Sequence, residues 1–221
     1  MSPKVKARTE KRSYDASRRR ADSAATRLRI LDAARESIVE GGYRSTTVAA
    51  IARKAGVNAD TVYALVGRKP VILRELIETA ISGRDEAVPA EDRDYVVAMR
   101  AEPDPRRKLF LYAAAIRSIH ARLAPLVLAL RDAATSEPEA AAVWTQISER
   151  RAANMRELAR NLRDTGGLRD DLTISEAADV LWATNSPDVY ALFVMERGWS
   201  AARYERWLAD AWCRLLLPPG G

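Results

Sequence analysis

The chain has 221 residues, 48% of them apolar and 30% charged, with a formal net charge of +6. That is enough apolar content for a small domain plus a larger one, and the polar, charged N-terminus lacks the apolar core of a signal peptide. One cysteine, Cys213, and one histidine, His120, exclude an intrachain disulfide and a histidine/cysteine metal cluster. No apolar run approaches a membrane span of about 20 residues, so a cytoplasmic protein without membrane contact is expected.

The charge is concentrated at the start of the chain. Residues 1–20 hold eight basic residues against Glu10 and Asp15, an excess equal to that of the whole chain. Residues 1–22 read as a basic, flexible arm, with Arg18, Arg19 and Arg20 as candidates for a narrow minor groove; a solvated tail without a partner is the alternative. A first helix is expected from Ser23 or Ala24 to Glu40. It buries Ile30, Leu31, Ala34 and Ile38 and ends at Gly41-Gly42.

Residues 42–69, GYRSTTVAAIARKAGVNADTVYALVGRK, carry the most information. Thr46 and Thr47 can accept from free amides at the start of a second helix whose Val48, Ile51, Ala52 and Ala55 point inward. Gly56 supplies a left-handed stop, and Val57 is expected in the core. Asn58 caps a third helix that reaches Val66, with Val62, Leu65 and Val66 inward and Ala59, Asp60, Thr61 and Tyr63 projecting. Two short helices joined by a glycine turn are the layout of a DNA-reading helix-turn-helix. Arg44, Arg53, Lys54, Arg68 and Lys69 face only Asp60 as opposing charge within the motif, which favours a polyanion partner.

Pro70 fits the first turn of a fourth helix to Ile81, striped by Ile72, Leu73, Leu76 and Ile77. Further helices are expected over 105–134, interrupted near Pro125, and over 138–164, 174–196 and 201–217. Strand signals are absent, so the fold class is all-α: a three-helix DNA-binding domain over 23–69, a connecting helix over 70–83 and a larger helical bundle over 84–221.

The run from Ala24 through Leu76 resembles the N-terminal domain of TetR-family transcriptional regulators. It has an ILDAARE-type first helix ending in GGY, then TTVAAIARKAGVNADTVY, then a Gly-x-Lys bend before an apolar fourth helix. Asp179 to Leu217 is similar to the two terminal helices of many such regulators. Where the family often ends its recognition helix Tyr-x-His-Phe, this chain has Tyr63-Ala64-Leu65-Val66. The resemblance implies phosphate contacts from Thr46, Thr47, Tyr63 and Lys69. Base reading would fall to Asn58, Ala59, Asp60 and Thr61 with Arg44 beside them, although Asn58 also serves as the cap.

The resemblance further implies a homodimer on a palindromic double-stranded operator, joined through the last two long helices around Ala178, Trp182, Val189, Phe193, Trp207, Leu208, Ala211, Trp212 and Leu215, each with the alternative of intramolecular core. It also implies an unidentified small-molecule effector that releases a repressor from its operator. Candidate pocket residues are Phe110, Tyr112, Arg117, His120, Trp144, Trp182 and Asn185, each with the alternative of ordinary core packing. No cofactor or metal is expected. Catalysis is not expected either, since neither a P-loop nor a Gly-x-Gly-x-x-Gly occurs. An architectural DNA binder using only the arm and the basic patch is the remaining alternative.

Overall fold

The computed structural model describes residues 4–219, with side chains from Arg19 onward. Helices account for the regular structure, and no strand occurs among the described residues. The chain divides into two compact units, Met1–Leu73 and Arg74–Gly221, and the division falls inside the fourth helix.

In the first unit, α1 (Lys4–Ser45) begins well before the expected Ser23. Residues 4–22 are helical and continuous with the rest of α1, so the expected flexible arm is corrected over this stretch. No proline or glycine interrupts the chain between Lys4 and Glu40, and alanine, arginine, lysine and glutamate favour the helix. Ile30, Leu31, Ala34, Ile38 and Tyr43 are buried. Gly42, at φ 80° and ψ 159°, breaks the helical path. Only glycine enters that region at little cost, so Tyr43 can turn back into the core beyond it.

The remaining helices of this unit are α2 (Val48–Ala55), α3 (Ala59–Leu65) and the first turn of α4 (Lys69–Ser82). Thr47 caps α2 by accepting from the Ala50 amide at 3.1 Å. Gly56, left-handed at φ 68°, closes it, with its amide and that of Val57 reaching back to carbonyls of α2. Ile51, Ala52, Val62, Ile72 and Leu73 complete a small core. Val57, expected inside, is half-buried, as are Leu65 and Val66.

The second unit begins within α4 and continues through a short 3₁₀ turn (Ala90–Asp92) to α5 (Asp94–Ala101). Residues 84–104 carry no clear helical signal in the sequence, because a helix of two turns shows too little periodicity to register. Next come α6 (Pro105–Ala134) and α7 (Pro138–Asp164), each starting on a proline. The expected interruption at Pro125 is absent: α6 runs through it, and the carbonyl that loses its donor belongs to exposed Ala121. This helix is long and apolar enough by composition to cross a membrane, with a mean hydropathy of 1.4 over 18 residues. It is instead a core helix, packed by α5, α7 and α10 (Ala201–Leu216) and burying Leu109, Tyr112, Ile116, His120, Leu126 and Leu130 among others.

The single helix expected over 174–196 is three pieces. α8 (Ile174–Thr184) opens with a capping box in which Thr173 and Glu176 satisfy each other's backbone amides. It stops at Asn185 because Pro187 cannot continue the ladder, and Ser186 caps α9 (Pro187–Tyr190). A π-helical turn (Ala191–Glu196) follows directly. In the proposed interface set, Ala178, Leu208 and Trp212 are corrected: all three are buried within this unit. Trp182 and Leu215 are exposed, and Val189, Phe193, Trp207 and Ala211 are half-buried.

Candidate DNA-reading surface and effector cavity

The reading surface follows from how α3 is capped. Asn58 Oδ1 accepts from the Thr61 amide and from the Thr61 hydroxyl, both at 2.7 Å. One side chain thus starts the helix and orients a residue on its first turn. Asp60 is exposed, Ala59 and Thr61 are half-exposed, and Tyr63 is 51% exposed. Arg44 and Thr47 are exposed as well.

Two neighbours behave differently from expectation. Thr46 is buried, and its hydroxyl donates to the Gly42 carbonyl at 2.8 Å, so this side chain fixes the α1–α2 corner and does not face phosphate. Lys54 forms ion pairs with Glu36 at 2.9 Å and Glu40 at 3.2 Å, both on α1. The motif's cations therefore do not face Asp60 alone; spacing within the motif could not show that acidic residues of α1 lie alongside. Lys69 is half-buried, donates to the Tyr43 carbonyl at 3.1 Å and lies 4.1 Å over that ring, which holds the start of α4 against the end of α1. Arg19 and Arg20 are exposed on α1, whereas the side chain of Arg18 lies outside the described residues.

The second unit encloses a cavity of about 100 Å³, and a neighbouring one of about 220 Å³ shares Tyr95, Tyr112, Asn154 and Met155 with it. Of the expected residues, Tyr112, His120, Trp144 and Asn185 line the smaller cavity, and Phe110, Arg117 and Trp182 do not. Phe110 faces outward from α6, Arg117 pairs with Glu205 at 2.8 Å, and Trp182 stands outside the wall. Tyr95 and the arginines Arg93, Arg150 and Arg151 also line the smaller cavity, although nothing in the sequence singles them out. An arginine at a cavity edge looks like any surface arginine until its partners are known.

Those partners are well defined. Arg93 and Arg150 both pair with Glu78, the former at 3.7 Å. Arg151 donates to the carbonyls of Trp182, at 2.7 Å, and Asn185, and stacks 4.3 Å from the Trp182 ring. It thereby holds the broken end of α8. Asp188 pairs with Arg131.

At the centre, the Asn185 amide nitrogen donates to the Tyr112 hydroxyl at 2.7 Å, while Asn185 Oδ1 has no partner. His120 is 2% exposed, packs edge-on to Tyr190 and has no partner at Nδ1. Burial, with the Arg151 charge adding to it, lowers its pKa to about 3, so the ring is neutral. Burial also pushes the Tyr112 hydroxyl well up, so it stays protonated. Among the described residues no group of side chains suits a metal ion.

A helix-turn-helix with an exposed reading helix, followed by a larger helical domain around a cavity, defines a DNA-binding regulator with a ligand-binding domain. Residues 30–65 match the family model described as "Bacterial regulatory proteins, tetR family". Solved structures agree in fold. The fatty acid degradation regulator FadR from Bacillus halodurans shares 21% identity, with 85% of this chain and 94% of that one covered and a TM-score of 0.69. FadR from Bacillus subtilis, solved in complex with stearoyl-CoA, shares 20% identity over 84% and 97% of the two chains, TM-score 0.68. The SmeT–triclosan complex gives 22% identity over 89% and 93%, TM-score 0.62. None of the curated proteins matches the sequence. The chain is thus similar to TetR-family regulators in its helix-turn-helix, residues 30–65, and to the solved structures in fold.

Proposed function

We propose that the protein is a cytoplasmic, homodimeric repressor that binds a palindromic operator and is released by a small molecule held in the second unit. The observation that carries this reading is one chain with both a built recognition helix and a separate cavity whose wall contains buried polar atoms without partners. Relatives in fold bind stearoyl-CoA and triclosan, which supports an effector role for the same domain.

In this reading Ala59, Asp60 and Thr61 face base edges, with Asn58 setting their register, while Arg44, Thr47, Tyr63 and Lys69 address phosphates. Arg19 and Arg20 would contact backbone phosphate from the helical start of α1 rather than as an extended arm in the minor groove. Exposed Trp182, Leu192, Met195 and Leu215 supply apolar area for a second copy, as a two-fold reader of two half-sites needs. Effector binding shifts the population between conformers that match and mismatch the half-site spacing, with α4 as the continuous connection.

Selection from random duplex DNA at near-physiological salt tests this. Enrichment of a palindrome bound by two copies is expected. Weak binding without enrichment, vanishing as salt rises, would replace the proposal with an architectural DNA binder.

A further inference from the structure

The cavity walls specify more than the presence of an effector. Tyr95, Tyr112, Trp144, Ile147 and Met155 supply aromatic, aliphatic and thioether surface, suited to a flat hydrocarbon skeleton. The charged side chains around it are already engaged. Arg93 and Arg150 share Glu78, Arg151 holds the Trp182 and Asn185 carbonyls, and Asp188 is paired with Arg131. An anionic ligand would have to draw Arg93 or Arg150 from Glu78, or Arg151 from the Trp182 and Asn185 carbonyls, and a cationic one would find only Asp188, already paired with Arg131.

What the wall lacks is a neutral partner in two places. Asn185, 3% exposed, holds Tyr112 through its nitrogen and leaves its oxygen unmet, and His120 Nδ1 is unmet on a ring that carries no charge. Buried polar atoms are rarely left so unless something else supplies the bond.

We propose that the effector is an uncharged aromatic bearing a hydroxyl group, bound in this cavity with the hydroxyl donating to Asn185. A hydroxyl can donate and accept, so it suits both an amide oxygen and a neutral imidazole, which a carboxylate or a quaternary ammonium does not. The two adjoining spaces, together on the order of 300 Å³, lie at the lower bound of small-molecule sites and favour a skeleton of one or two rings. This rests on the second unit being an effector domain.

The test is calorimetric titration of the full chain, without DNA, by 2-naphthol, its methyl ether 2-methoxynaphthalene, and 2-naphthoate. Saturable binding of 2-naphthol is expected, with the ether and the carboxylate each weaker by about tenfold or more, because each leaves the Asn185 oxygen unpaired. Asn185→Leu should bring naphthol and ether to the same affinity. Equal affinity of the ether in the unaltered protein, tighter binding of naphthoate, or no binding of any of the three would overturn the proposal, whether or not the variant folds. Since no DNA is present, failure to find an operator leaves this result standing, and failure here leaves operator binding standing.

Discussion

His120 gives the second unit a pH dependence that can be worked from its surroundings. In the folded protein the ring is enclosed by its neighbours and near the Arg151 charge, which together lower its pKa to about 3. In the unfolded chain it returns to about 6.5. Between those values the unfolded state binds a proton that the folded state refuses. Stability contributed by the neutral ring is therefore complete above pH 6.5 and falls as pH drops below it, at a limiting slope of about 1.4 kcal/mol per unit. Carried from pH 7 to pH 5, this amounts to about 2 kcal/mol. The chain has no second histidine, so substitution isolates the effect. His120→Phe keeps the ring against Tyr190 and removes the proton. Urea titrations of both proteins across pH 5–7 should show the parent losing about 2 kcal/mol more than the variant, because carboxylate contributions cancel in the difference. Parallel curves would refute the reasoning and mean that the ring is charged, or reachable by water, in the folded state.

Other sites give sharper single outcomes. Asn58→Ala removes the cap of α3 and frees the Thr61 hydroxyl; a loss of about 1 kcal/mol in thermal or urea unfolding is expected, together with altered sequence preference in DNA selection. Gly167→Ala would place its Cβ 2.3 Å from Pro105 Cβ, and a cost of about 1–3 kcal/mol should appear as a lowered Tm. Glu78→Gln leaves Arg93 and Arg150 without their shared carboxylate; about 2 kcal/mol is expected in urea titration, below the range for fully buried pairs because Arg150 is partly exposed. Cys213 is buried and its thiol pKa is raised by that burial, so thiol-reactive dye should label it in step with unfolding and not in the native protein.

The helix-turn-helix was legible because its signals are local. Gly56 and Asn58 act within four residues of their own position, so a linear reading finds both the stop and the cap. The long helices of the second unit were legible from Pro105 and Pro138 for a related reason. Partners contributed by distant segments were not. Lys54 looks like a DNA-facing cation until Glu36 and Glu40 are placed beside it, and Thr46 looks like a surface hydroxyl until the Gly42 kink turns it inward. The cavity was half visible. Aromatic character and a lone histidine single out Tyr112, His120 and Trp144, but helical periodicity does not say which face of a helix lines an empty space, so Phe110 and Trp182 carry the same signal without lining it. The break at Asn185 was hidden for the opposite reason: Pro187 is a strong stop signal, yet the apolar pattern continues past it into the π-helical turn.

The five tryptophans, Trp144, Trp182, Trp199, Trp207 and Trp212, all lie in the second unit. Trp212 stacks on Tyr112 at 5.2 Å, and Trp199 and Trp207 gather around Phe193. The first unit has tyrosine as its only aromatic residue. Emission excited at 295 nm therefore comes from one half of the molecule, whereas the 222 nm ellipticity sums helices from both. Recording the two signals during a single melt gives each unit its own spectroscopic channel. Coincident curves would mean the halves come apart as one cooperative body, and separated curves would assign each transition to its half without cutting the chain.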